Sequence, residues 1–224
     1  MVVCGVALAD SVGARGSARQ AGSSLRFQGV SAESAADVWA VGSTQGENQE
    51  PAVAHWDGTA LSQVPTNLGS GAPGDIVPGA LHGVSADAPT DAWAVGNVSP
   101  PRTHMIQSLV LRWDGNRWSR VPSPNPSRLA NDLQAVQANS PDDVWIEGEY
   151  LDQRTHGHPP FVIHWDGRGW STVRLPARIA KEIQLSGFTS FDPIGPKSAF
   201  ALRRHATRVG HGAIESDEVL HWNG

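Results

Sequence analysis

Imidazole and guanidinium groups stand at related positions along this chain. Arg102-Thr103-His104 and Arg154-Thr155-His156 repeat one tripeptide, each starting nine residues after a tryptophan, Trp93 or Trp145. Counting eleven residues on from Trp39, Trp93, Trp145 and Phe200 reaches Glu50, His104, His156 and His211. Three imidazoles and a carboxylate are donors that zinc accepts, so these four are a candidate metal quartet if the fold brings them to one place. A milder reading needs only charge. Arg102, His104, Arg154, His156, His158, Arg204, His205 and His211 are the candidate ligand-binding residues; with Arg203 and Arg208 they would make one face positive and partly pH-dependent, suited to an anionic ligand or a partner's carboxylates. The plain alternative is a solvated face rich in His and Arg.

Other chemistry-bearing residues recur more strictly, and strict recurrence favours a structural role. Asp37, Asp91 and Asp143 each stand two residues before a tryptophan, while Asp57, Asp114 and Asp166 sit in Trp-Asp-Gly. Six carboxylates at repeated positions invite a cation, but short polar residues at turns usually bond their own backbone. His55, His164 and His221 share one position with Arg112, which suits packing or hydrogen bonding better than catalysis. No catalytic residue is assigned. Tyr150 is the only tyrosine and Cys4 the only cysteine, so neither a Tyr-Cys copper-radical site nor a tyrosine nucleophile with an arginine triad is well supplied. Neither Gly-x-Ser-x-Gly nor His-Glu-x-x-His occurs. Carboxylate pairs for glycan cleavage stay open, since they need no local motif. No cofactor is expected.

Composition narrows the partners. A formal charge of −5 argues against nucleic acid, although fifteen of the seventeen basic residues are arginine. One cysteine permits neither an intrachain disulfide nor a thiolate zinc cluster. No run approaches the roughly eighteen apolar residues of a membrane span. Twenty-four glycines, sixteen prolines and nine tryptophans describe a turn-rich, tryptophan-anchored, all-β chain.

The elements that position these residues repeat four times. Trp39, Trp93, Trp145 and Phe200 step by 54, 52 and 55 residues. Upstream of them, Gly29-Val30-Ser31-Ala32, Gly83-Val84-Ser85-Ala86, Ala135-Val136-Gln137-Ala138 and Gly187-Phe188-Thr189-Ser190 step by 54, 52 and 52. Downstream come His55-Trp56-Asp57-Gly58, Arg112-Trp113-Asp114-Gly115, His164-Trp165-Asp166-Gly167 and His221-Trp222-Asn223-Gly224. Each unit holds four short apolar stretches separated by turn chemistry, giving strands a, b, c and d; in the third unit they run roughly 133–138, 144–148, 161–165 and 170–174. Asp-Gly accepts the positive φ of a tight hairpin, so Trp113 should oppose Trp118, and Trp165 should oppose Trp170.

Four-stranded units of about fifty residues are the sequence form of a β-propeller blade. The stretches Gly83-Val84-Ser85-Ala86, Asp91-Ala92-Trp93-Ala94-Val95-Gly96, Trp113-Asp114-Gly115-Asn116-Arg117-Trp118 and Val121-Pro122-Ser123-Pro124-Asn125-Pro126 resemble the repeat of bacterial, mostly exported, kelch or galactose-oxidase-like propeller proteins. The resemblance implies a secreted or cell-surface protein and says little about activity. The expected fold is a propeller of four blades of four antiparallel strands over 25–224, with blades near 25–66, 79–126, 131–176 and 183–224. Residues 1–24 are either a signal-peptide remnant with a linker or the source of a closing strand, Gly5-Val6-Ala7-Leu8, for the last blade. A ring closed in this way would be a monomer.

In such a fold the b–c loops differ most between units, and function belongs on loops. The expectation is a non-catalytic binding or scaffold module recognising a glycan, an anionic ligand or a protein partner through its b–c loop face. The alternatives are a glycan-active hydrolase or lyase, and a fragment of a larger propeller.

Overall fold

The structure is a computed structural model that describes residues 24–46, 49–68, 77–100, 105–174, 190–195, 198–209 and 212–223. Every regular element among these residues is a β-strand. The first sheet contains β1 (Leu25–Ser34), β2 (Asp37–Thr44), β3 (Pro51–Trp56) and β4 (Leu61–Val64). The second contains β5 (Gly79–Ala88), β6 (Asp91–Val98), β7 (Gln107–Trp113) and β8 (Trp118–Arg120), and the third β9 (Asn131–Ser140), β10 (Asp143–Tyr150), β11 (Pro160–Trp165) and β12 (Trp170–Val173). A three-stranded sheet of β13 (Ser190–Gly195), β14 (Ser198–Val209) and β15 (Gly212–Trp222) follows. Each sheet is an antiparallel meander in chain order. The segment proposed to close the last sheet, Gly5 to Leu8, lies outside the described residues.

Local chemistry explains the meanders. Two-residue turns join strands a and b, leaving Ser34 opposite Asp37, Ala88 opposite Asp91 and Ser140 opposite Asp143. Between strands c and d, Gly58, Gly115 and Gly167 adopt φ of 91°, 88° and 84°, the left-handed region that a side chain resists. The preceding aspartate completes each turn: Asp114 Oδ1 accepts from the backbone N–H of Asn116 at 3.0 Å and Arg117 at 2.9 Å, and Asp57 and Asp166 do the same. Trp113 then opposes Trp118 and Trp165 opposes Trp170, as hairpin geometry requires, with Leu61 opposite Trp56 in the first unit.

A β-bulge recurs in strand a. Phe27 pairs with Gly42 and Gly29 with Val41, so Gln28 is the extra residue; His82 and Gln134 are its equivalents in β5 and β9. The bulge brings the backbone of strand a across strand b, and a Cβ at Gly42, Gly96 or Gly148 would run into the carbonyl oxygen of Arg26, Ala80 or Asp132. The glycine of each Trp-x-x-Gly is thus fixed by its neighbour strand.

The cores lie between sheets. The front of the first sheet (Trp39, Val41, Val53) packs on the back of the second (Leu81, Val84, Ala94, Leu111, Trp118). The front of the second (Trp93, Val95, Val110) packs in the same way on the back of the third (Leu133, Ile146, Phe161, Ile163). Trp39, Trp93 and Trp145 are 2%, 0% and 1% exposed, the large rings wedging successive sheets together.

The fourth unit departs from the expected register. Ser31, Ser85 and Gln137 each pair with the strand b tryptophan eight residues on, and in the fourth sheet Asp192 pairs with Phe200. The repeat therefore aligns on Ser190-Phe191-Asp192-Pro193, three residues beyond Gly187-Phe188-Thr189-Ser190. The short a–b hairpin preserves its own length, and the extra residues fall ahead of it.

Candidate functional site

The strictly repeated polar residues are consumed by the fold. Asp37 bonds His55 at 2.7 Å, Asp143 bonds His164 at 2.7 Å, and Asp91 accepts from Arg112 Nε at 2.6 Å. Each base lies on the strand b aromatic of its own sheet, His55 at 4.3 Å from Trp39, His164 at 4.4 Å from Trp145, and the Arg112 guanidinium 4.9 Å from Trp93. The indole N–H of Trp93 donates to Asp91, and that of Trp145 to Asp143. In the fourth sheet Ser198 and Phe200 replace the aspartate and tryptophan, with His221 stacked at 4.4 Å on Phe200 and 3.0 Å from Ser198 Oγ. These are braces between strands b and c. The turn carboxylates are equally committed: hydrogen bonds from Thr59, then from the backbone of Ala60 and Thr59, hold Asp57 down at about 2, and Asp114 and Asp166 are lowered by backbone N–H groups first.

The predicted b–c residues divide. Arg102, His104 and His211 lie outside the described residues. Arg204 and His205 belong to β14, not to a loop: their backbones pair with Asp217 and Ser216 in a hairpin that continues to Val209 and Gly212. The run Ala201-Leu202-Arg203-Arg204-His205-Ala206-Thr207 contains no glycine or proline to end a strand, so the ladder extends through it. Arg154, His156 and His158 do lie on a loop, 151–159, which Asp152 organises. Its carboxylate accepts from the Arg154 N–H and Thr155 hydroxyl, while its carbonyl accepts from the His156 N–H. His156 is exposed with φ of 54°, and His158 sits 3.5 Å from Glu149. Glu50 closes the b–c loop of the first sheet, its N–H donating to Thr44 Oγ1 and its carbonyl accepting from Thr44 N–H. Of the metal quartet only Glu50 and His156 are described, and among the described residues no three His, Cys, Asp or Glu side chains converge as metal ligands.

Beside this loop a cleft of about 390 Å³ lies between the third sheet and the connection from β8 to β9. Tyr150 ends β10 and Pro160 begins β11, so the cleft opens at the b–c end. Phe161 and Thr172 wall its third-sheet side, and the Pro124-Asn125-Pro126 segment of that connection covers it. The rings of Tyr150 and Phe161 meet edge to face, 6.0 Å apart. Its cause is local. At the positions of Tyr150 and Phe161 the second sheet has Val98 and Leu109, both 0% exposed, whereas the larger tyrosine ring lies at the edge of its cluster. Asn125 is held by the Ser108 N–H at 2.8 Å, which stiffens the cover.

A second polar group follows from the bulges, and sequence reading missed it. Gln28, His82 and Gln134 come from three sheets: His82 Nδ1 is 2.9 Å from Gln28 Oε1, and its Nε2 lies 3.2 Å from Asp132 and 3.1 Å from Asn97 Nδ2. Asp132 also accepts from Asn97 at 2.7 Å and from Gln134 at 2.7 Å. Two glutamines and a histidine at one bulge position carry no shared motif; only the skipped pairing reveals them.

Among the described residues two carboxyls are pushed well above their ordinary range. Burial, with Glu149 adding to it, pushes Glu147 up to about 7. Burial, then a hydrogen bond and repulsion from Asp91, pushes Asp87 up to about 6. Asp87 stands where the third sheet has Asn139, whose amide donates to Asp143 at 3.2 Å. A protonated Asp87 can copy that amide, and an ionised one opposes Asp91.

No family model and no curated protein matches the sequence. Fifteen chains of solved structure do match. One is a fucose lectin from Kordia zhangzhouensis, solved in complex with methyl-fucoside, at 12% identity and a TM-score of 0.42, covering 65% of this chain and 98% of the lectin. Another is YCF48 bound to D1 peptide, at 14% identity and a TM-score of 0.27, covering 80% of this chain and 76% of that one.

Proposed function

We propose that this chain is a non-catalytic binding module built of four propeller-type blades, which takes a saccharide in the cleft between its third sheet and the connection from β8 to β9. The observation that carries the reading is the cleft itself, where Tyr150 and Phe161 face a cover of Pro124 and Pro126 at the b–c end. Saccharides present apolar C–H faces that settle on aromatic and proline surfaces, and hydroxyls that bond to side chains such as Thr172. Arg154, His156 and His158 border the same end and would favour an acidic sugar over a neutral one. Catalysis fits less well. The repeated aspartates are tied into braces and turns, and the perturbed Glu147 is half-buried on the other face of β10, the face turned toward the fourth sheet.

The test is a glycan array followed by calorimetry on any hit, with the wild type and Tyr150→Ala. Removing a stacked ring should weaken binding about tenfold, the equivalent of some 1.4 kcal/mol. Binding that Tyr150→Ala leaves unchanged would place the ligand elsewhere, and turnover of the bound glycan would replace the binding module with an enzyme.

A further inference from the structure

Among the described residues the second sheet packs its back on the first and its front on the third, whereas the back of the first sheet and the front of the fourth are exposed. Leu81 and Val84 in the second sheet are 0% and 8% exposed, buried against the front of the first. Their equivalents in the first sheet, Phe27 and Val30, are 42% and 64% exposed, and Leu61, which stands where Trp118 is buried, is 45% exposed. The other end mirrors this. Val53, Val110 and Val162, on the fronts of the first three sheets, are all 0% exposed. Val219 occupies their position in β15, paired with Leu202 as Val53 is with Val41, and is 67% exposed. Phe200, in the place of the wedging tryptophans, is 37% exposed.

We infer that these two faces are the halves of one interface, and that a second copy of this chain fills it head to tail, the front of its fourth sheet on the back of the first. The interface is already present within the chain, where the same front positions meet the same back positions between the first and second and between the second and third sheets. Within the chain the first two of these contacts also carry a hydrogen bond from backbone to side chain. Ser31 Oγ accepts from the Ala86 N–H and Ser85 Oγ from the Ala138 N–H, each at 3.0 Å, tying one strand a to the next. A front that meets a different back is a heterologous contact, which closes into a ring when the rotation allows and continues as a filament when it does not.

Sedimentation and light scattering on the wild type, Val30→Asp and Val219→Asp test this. Both side chains are largely exposed in the single chain, so either aspartate should leave the fold intact; circular dichroism checks that, and Leu61→Glu is a second back-face variant. The wild type should associate to a multiple of 23.8 kDa at micromolar concentration. Each single variant should be monomeric, and an equal mixture of the two should form a two-chain species, since each retains the half that the other lacks. A wild type that stays monomeric at high micromolar concentration overturns the inference. So does a Val219→Asp chain that still pairs, as a back-to-back contact would, or a mixture that fails to pair.

Discussion

Glu147 holds a position that the first two units give to valine. Val41 and Val95, its equivalents on strand b, are 0% exposed within the inter-sheet cores. A carboxyl there keeps its proton to about 7, well above its ordinary 4.5, because burial disfavours the charge and Glu149 adds repulsion. The folded chain therefore binds a proton that the unfolded chain has released between these two pH values. Stability attributable to Glu147 is full below pH 4.5 and falls as pH rises through 7. At 1.36 kcal/mol per pKa unit, the loss amounts to about 3 kcal/mol by pH 8. Glu147→Val removes this titration. Urea unfolding of both proteins from pH 4.5 to 8.5 should give a stability difference that grows by about 3 kcal/mol in favour of the variant between pH 4.5 and 7 and stays level above that. Any difference in packing enters as a pH-independent offset, and other titrating groups cancel between the two proteins. A difference that stays flat, or that grows toward acid, would refute the burial argument.

Two further substitutions test other parts of the structure. Asp87→Asn should reproduce the amide that Asn139 offers to Asp143; because the pKa of Asp87 is raised, the gain should be absent at pH 5 and appear above pH 6, as a melting point higher by about 2–4 °C if one neutral hydrogen bond is recovered. Gly96→Ala drives a Cβ into the Ala80 carbonyl and should cost at least about 2 kcal/mol in urea unfolding, whereas Gly169→Ala, with no atom within 4 Å of the new methyl, should cost a few tenths at most.

Much of this architecture is legible in the residues because hairpin chemistry is local. Asp114-Gly115 announces its turn, and the turn places Trp118 opposite Trp113 without reference to the rest of the chain. The fourth unit shows the limit of matching residue types. Gly187-Phe188-Thr189-Ser190 looks like the strand a motif, but the two-residue a–b turn demands a partner eight residues before Phe200, which is Asp192. Holding that distance constant would have found it. Arg204 and His205 read as a loop because the other units have one there, although nothing in their own sequence breaks a strand. The cleft and the bulge group were less accessible. The cleft exists between two units, where a tyrosine meets a proline segment from the preceding repeat, and the bulge group joins Gln28, His82 and Gln134 through a skipped pairing that their side chains do not advertise.

The sameness of the units creates a hazard in folding. β2 and β6 are nearly identical, Asp-Val-Trp-Ala-Val-Gly against Asp-Ala-Trp-Ala-Val-Gly, and both carry the glycine that accommodates a bulged neighbour. The first strand a could cross-pair with the second strand b, in the same register and with the same faces apolar. The two-residue a–b turn works against this. Closing a loop of more than fifty residues instead of one of a few costs about 2 kcal/mol more in chain entropy, so each strand a meets its own strand b first. The shortest connection in each of the first three units thereby serves as its proofreader, and lengthening the turn at Ala35-Ala36 or Pro89-Thr90 should raise the fraction of chains trapped in swapped pairings during refolding.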